Sequence, residues 1–62
     1  MMHYLLMING KLDCVYEKKK YADITADYHK LQGKSVQVKR KKLTESEIEY
    51  FKQHGMYAQL QS

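Results

Sequence analysis

Apolar and polar positions divide the chain into five segments. Residues 4–8, Tyr-Leu-Leu-Met-Ile, are apolar without alternation and are closed by Asn9-Gly10. A strand with one wet face alternates apolar and polar residues, so this segment predicts a central strand covered on both sides or along both edges. Asn9-Gly10 between two apolar runs is a strong hairpin signal, because both residues tolerate the positive φ of a type I′ turn. A strand over residues 3–9 and a second over 11–17 follow. A two-residue turn sets the register Ile8–Lys11, Met7–Leu12, Leu6–Asp13, Leu5–Cys14, Tyr4–Val15 and His3–Tyr16. Cross-strand partners share a face. The expected core face therefore carries His3, Leu5, Met7, Leu12, Cys14 and Tyr16. The expected open face carries Tyr4, Leu6, Ile8, Lys11, Asp13 and Val15.

Residues 20–32 predict a helix, with Tyr21, Ile24, Tyr28 and Leu31 forming one apolar stripe and Gly33 just past the end. Lys18-Lys19-Lys20 makes a poor first turn, since cations disfavour the positive end of the helix dipole. In residues 35–42 Val36 and Val38 alternate with Gln37, Lys39 and Lys41, which predicts a strand with its valines inward. Residues 44–54 predict a second helix. Thr44 and Glu47 have the spacing of a capping box, and Leu43 and Ile48 that of a hydrophobic staple. Gly55 ends it, and the 56–62 tail offers Met56, Tyr57 and Leu60 as anchors. The order β-β-α-β-α makes an α+β domain spanning residues 1–62. Its three-stranded antiparallel sheet has the order 2-1-3 and its helices pack on one face, the second on that face or capping an end.

Sixty-two residues allow a single domain with a thin core, a size at which association often adds stability. The net charge is +4, unevenly spread. Residues 1–42 hold ten Lys/Arg against four Asp/Glu, whereas residues 43–62 hold Lys52 against Glu45, Glu47 and Glu49. That balance directs an anionic partner to the first part of the chain. With ten lysines and one arginine, contacts to a nucleic-acid backbone are favoured over bidentate base readout. Cys14 is the only cysteine, which excludes an intramolecular disulfide and fits a cytoplasmic protein. No apolar run reaches the roughly 20 residues that a bilayer needs, and no signal-peptide pattern is seen.

His3, His29, His54 and Cys14 show no metal-ligand spacing, so no metal or other cofactor is expected. Cys14 and His3 would share a face, but nothing supplies an orienting third group or an oxyanion site, and no catalytic residues are assigned. Two features stand out: the basic runs Lys18–Lys20 and Lys39–Lys42, and an open sheet face where Tyr4, Leu6, Ile8 and Val15 lie beside lysines. Aromatic and apolar groups among cations suit single-stranded nucleic acid. The expected nucleic-acid contacts are Tyr4, Lys34, Gln37, Lys39, Arg40, Lys41 and Lys42. The expected interface residues are Tyr4, Leu6, Ile8 and Val15. The function expected is a non-catalytic module for RNA, single-stranded or hybrid nucleic acid. The alternative is a small regulatory protein, of the kind mobile elements such as phages carry, that binds a protein or homodimerises through the same face.

The element order, the Asn9-Gly10-Lys11 turn, Val15-Tyr16 and the Thr44-x-x-Glu47 helix start loosely resemble the small hybrid-binding domain at the front of some ribonuclease H enzymes, over about residues 4–51. That resemblance implies a grip on RNA–DNA duplexes. The chain departs from the pattern in lacking a tryptophan early in the first helix and a glycine before the second strand's aromatic residue.

Overall fold

Three antiparallel strands and two helices make up the computed structural model, which describes residues 2–58. Strand β1 (Met2–Ile8) lies between β2 (Lys11–Tyr16) and β3 (Val36–Lys42), giving the order β2-β1-β3. The element order and the central place of the all-apolar strand agree with the sequence pattern. Asn9 (φ 52°) and Gly10 (φ 79°) both take positive φ, as a tight hairpin turn requires. The same turn anchors the start of β3: the Asn9 N–H donates to the Ser35 carbonyl at 2.8 Å, and the Ser35 N–H donates to Asn9 Oδ1 at 3.2 Å.

The register departs from expectation after two pairs. Ile8–Lys11 and Met7–Leu12 form as expected, but an irregularity follows, and the next pairs are Leu6–Cys14, Leu5–Val15 and Tyr4–Tyr16. Asp13 is the extra residue. The bulge spares the sheet a carboxylate beside Leu6 and sets Cys14 and Tyr16 there instead. β3 then decides which face is covered, because Leu6 pairs with Val38 and Ile8 with Val36, whereas Leu5 pairs with Lys39 and Met7 with Gln37. The valines are inward and the lysines outward, as the alternation predicts. For β1, however, the faces are exchanged: Leu6 is fully buried under the first helix, with Tyr4, Ile8, Cys14, Tyr16, Val36 and Val38 around it. Val15, also expected on the open face, is fully buried on the other side. Leu6 and Val15 therefore cannot meet a partner in the folded domain.

Helix α1 (Lys19–Leu31) covers that face with its smallest side chains. Ala22 and Ala26 are buried, while Ile24, Tyr28 and Leu31 are 58%, 59% and 88% exposed. The expected stripe is thus turned to solvent, apart from Tyr21, which packs on the core. The reason is volume. The sheet already presents Leu6, Tyr4 and Tyr16, and large residues on one side of a packed layer demand small ones on the other. The Tyr16 hydroxyl donates to Thr25 Oγ1 at 3.0 Å, and the Thr25 hydroxyl donates to the Tyr21 carbonyl at 3.2 Å, which fixes the helix over the hairpin. Lys18 precedes the helix without a side-chain cap, and the first turn has no acid.

Helix α2 (Glu45–Gln53) starts as predicted. The Glu47 N–H donates to Thr44 Oγ1 at 3.2 Å, and the Thr44 N–H donates to Glu47 Oε1 at 3.1 Å. Leu43, just before the cap, is buried. The helix stands at the end of the sheet where β3 finishes beside the start of β1, tied by Lys41 Nζ–Glu47 Oε2 at 3.3 Å. The tail then docks on the free edge of β2. The Val15 N–H donates to the Met56 carbonyl and the Ala58 N–H to the Val15 carbonyl, both at 2.8 Å. Leu60, a proposed anchor, lies outside the described residues.

Candidate functional site

The alternation of β3 splits its basic run between two surfaces. Gln37, Lys39 and Lys41 point away from α1, and Arg40 points toward it, beside Tyr4. Tyr16, Tyr4 and Arg40 form one row across the sheet. Only Glu17 and Lys18 separate β2 from α1, so the first turn of the helix is held close to that row. The result is a groove of about 360 Å³ lined by Tyr4, Lys19, Asp23, Val38 and Arg40. Each basic run contributes a cation, from positions about twenty residues apart in the chain.

The electrostatics of the groove are lopsided. Lys19 Nζ meets Asp23 Oδ2 at 2.7 Å, one helical turn on. The hydrogen bond to that carboxylate, and then its charge, raise the Lys19 pKa. Arg40 is exposed and makes no ion pair with any described carboxylate. Its guanidinium is therefore free to bind an anion through a planar fork of donors. Tyr4 is half-buried with its ring at the groove wall, and Val38 adds an apolar patch. The groove thus sets a cation with no ion-pair partner among the described residues beside an aromatic ring and a neutralised ion pair.

Tyr4 and Arg40 are the two expected contact residues that the fold brings together, and Lys42, next to Met2 at the end of β3, follows on the same side. Gln37, Lys39 and Lys41 lie on the opposite face, with Lys41 engaged by Glu47. Lys34 lies past the far end of α1, 3.3 Å from His29 Nδ1. Lys19 was missing from the expected contact set. Its signal was the two-residue link between β2 and α1, which leaves the Lys18–Lys20 run nowhere to go but the end of the sheet.

The second face combines a sealed end and an open one. At the sealed end His3 is almost fully buried. Its Nε2 lies 3.1 Å from the Tyr57 hydroxyl, which donates to Glu17 Oε2 at 2.6 Å. The phenol has one proton and gives it to the carboxylate, so His3 donates Nε2–H to the phenol oxygen, and His3 Nδ1 is buried without a partner among the described residues. Burial and the hydrogen bond to Glu17 raise the Tyr57 pKa far above its ordinary value. At the open end Leu5, Met7 and Leu12 are half-buried beside exposed Gln37 and Lys39.

Cys14 lies on the α1 face and His3 on the other, so the two do not share a surface. Burial raises the Cys14 pKa, the opposite of what a nucleophilic thiol needs. Among the described residues no group of three or more His, Cys, Asp or Glu side chains is placed to hold a metal ion. No described helix is long and apolar enough to cross a membrane. Comparison with protein-family models, curated proteins and solved structures finds no match to this chain.

Proposed function

We propose that this chain is a non-catalytic binding module that holds the backbone of single-stranded or hybrid nucleic acid in the groove between β3 and the start of α1. The observation that carries this reading is the meeting of Arg40 and Lys19 beside Tyr4 in one groove. Arg40 would take a phosphate, Tyr4 would offer its ring to a base or sugar, and Lys18, Lys20 and Lys42 would extend the positive field along the strand. Asp23 does not repel the ligand strongly, because Lys19 neutralises it at 2.7 Å. The lone, half-buried thiol of Cys14 fits a reducing compartment, and the cytoplasm is the proposed location.

The test is a mobility shift of single-stranded DNA, single-stranded RNA and an RNA–DNA hybrid over a salt series from about 50 to about 200 mM. If about three phosphates are neutralised, the log–log slope for a single strand is about −2. Arg40→Glu should weaken every complex and flatten that slope by about one. Lys39→Glu, on the other face, should do so much less. No shift at low salt with folded protein in excess, or equal loss in the two variants, rejects the groove.

A second reading is a small regulatory protein with a protein partner. The observation that favours it is the apolar outer face of α1, where Ile24, Tyr28 and Leu31 are more than half exposed. Nuclease-resistant, salt-sensitive co-purification of a single protein, lost in Tyr28→Lys, would support it. Recovery of nucleic acid alone would reject it.

A further inference from the structure

Asp23 is the one carboxylate among the groove's described lining residues, and phosphate binding gives it no task beyond its pairing with Lys19. It stands one turn along α1 from Lys19, half-buried in the groove wall with Tyr4 and Arg40. Lys19 takes Oδ2 at 2.7 Å, and Oδ1 has no hydrogen-bond partner among the described residues. An ionised carboxylate offers about four acceptor positions on its two oxygens, so a single ammonium leaves most of them open. The hydrogen bond and the charge of Asp23 raise the Lys19 pKa, and Tyr4 adds to the same effect, so the ion pair and the phenol are neighbours. Along α1 the groove wall therefore presents a donor followed by a paired acceptor.

A base with its ring against Tyr4 turns an edge toward this wall, and the bases differ in what that edge presents. Guanine sets an acceptor, O6, next to two donors, N1–H and the N2 amino group. Two parallel donors fit the two oxygens of one carboxylate, and O6 then falls to an ammonium. Adenine and cytosine bring one amino donor with a ring nitrogen beside it, whose lone pair would face the second carboxylate oxygen. Uracil and thymine bring one N–H between two carbonyls, with the same conflict. An acceptor set against a carboxylate leaves a hydrogen bond unmade. The groove's volume, about 360 Å³, lies near the lower end for a ligand cleft, which suits one nucleotide.

We propose that the groove selects an unpaired guanine, with Asp23 accepting from N1–H and the N2 amino group, Lys19 donating to O6 and Arg40 holding the adjoining phosphate. Asp23 is then the residue that sets specificity. The inference rests on the nucleic-acid reading of the groove and narrows it. The edge that Asp23 reads is occupied in a duplex, so a paired guanine is not recognised.

Fluorescence anisotropy of the full chain tests it, at about 50 mM salt, where backbone contacts hold well. The probes are short single strands of uridine that carry one central guest base: guanine, hypoxanthine, adenine or cytosine, with the all-uridine strand as reference. The guanine strand should bind tightest, by about fivefold or more over adenine, cytosine and uracil. Hypoxanthine keeps O6 and N1–H but lacks the amino group, so its strand should fall between guanine and adenine. In Asp23→Asn the guanine strand should lose its lead, because an amide has one acceptor oxygen. Annealed to their complements, the guanine and uridine strands should bind alike. Equal binding of all guests, a lead for another base, or a guanine lead that survives Asp23→Asn overturns the inference and leaves the groove reading standing. No binding of any strand overturns both.

Discussion

The two faces of the sheet share β1 but are closed by different physics. On the α1 side, large residues of the sheet (Leu6, Tyr16 and Tyr4) meet small residues of the helix (Ala22 and Ala26), and the seal is apolar. On the other side, the seal covers one end and is partly polar: His3, Tyr57 and Glu17 are linked by two hydrogen bonds, and the tail pairs with Val15. The remainder of that face is left half-open around Leu5, Met7 and Leu12. The contrast teaches that large apolar side chains are buried mainly under α1, while the other side is closed in part by hydrogen bonds from a short segment.

The strongest test of that contrast is a pair of truncations one residue apart. Leu6→Ala removes a fully buried side chain and should cost about 2–5 kcal/mol. For a domain of this size that is enough to unfold most of the population at moderate temperature. Leu5→Ala, on the half-open face, should cost clearly less. Urea denaturation followed by circular dichroism measures both, and equal costs would break the comparison. A smaller effect is expected of Ala26→Leu, which forces volume between the helix and Leu6. Overpacking should cost about 1–3 kcal/mol. A neutral or stabilising outcome would show that the helix is not held close by its alanines.

The smallest effect concerns the polar seal. Tyr57→Phe removes the phenol between His3 and Glu17 and should cost on the order of 1 kcal/mol near neutral pH. The fold raises the Tyr57 pKa, so it favours the neutral phenol. That contribution is complete below the ordinary tyrosine pKa of about 10 and is lost as pH rises through the folded value. The stability gap between wild type and Tyr57→Phe should therefore narrow above pH of about 10. Thermal unfolding at a series of alkaline pH values measures it, and a gap independent of pH would remove the phenol from the seal.

Which parts were legible in the sequence follows from how local their causes are. The Thr44–Glu47 capping box spans four residues and forms as the spacing predicts. The Asn9-Gly10 turn is likewise a local choice of backbone angles. The inward valines of β3 were readable because polar residues alternate with them. β1 gave no such signal. With apolar groups at every position from Tyr4 to Ile8, either face could have been the core, and the bulge at Asp13 displaced the partners that would have decided it. The α1 stripe misled for a related reason. Periodicity finds the apolar side of a helix, but the space left under it decides which side fits. The candidate site was half legible: Tyr4 and Arg40 were expected contacts, while Lys19 joins them only through the fold.

Sequence by itself determined the count and order of elements, the hairpin turn, the α2 cap and the central place of β1, since each depends on neighbours within a few residues or on chain direction. Tertiary structure decided the face of β1 that is buried, the outward turn of Ile24, Tyr28 and Leu31, and the meeting of the two basic runs. A strand apolar on both sides carries no phase of its own. Its phase is imposed by the strands beside it, and the volume they leave selects the side of the helix that can approach.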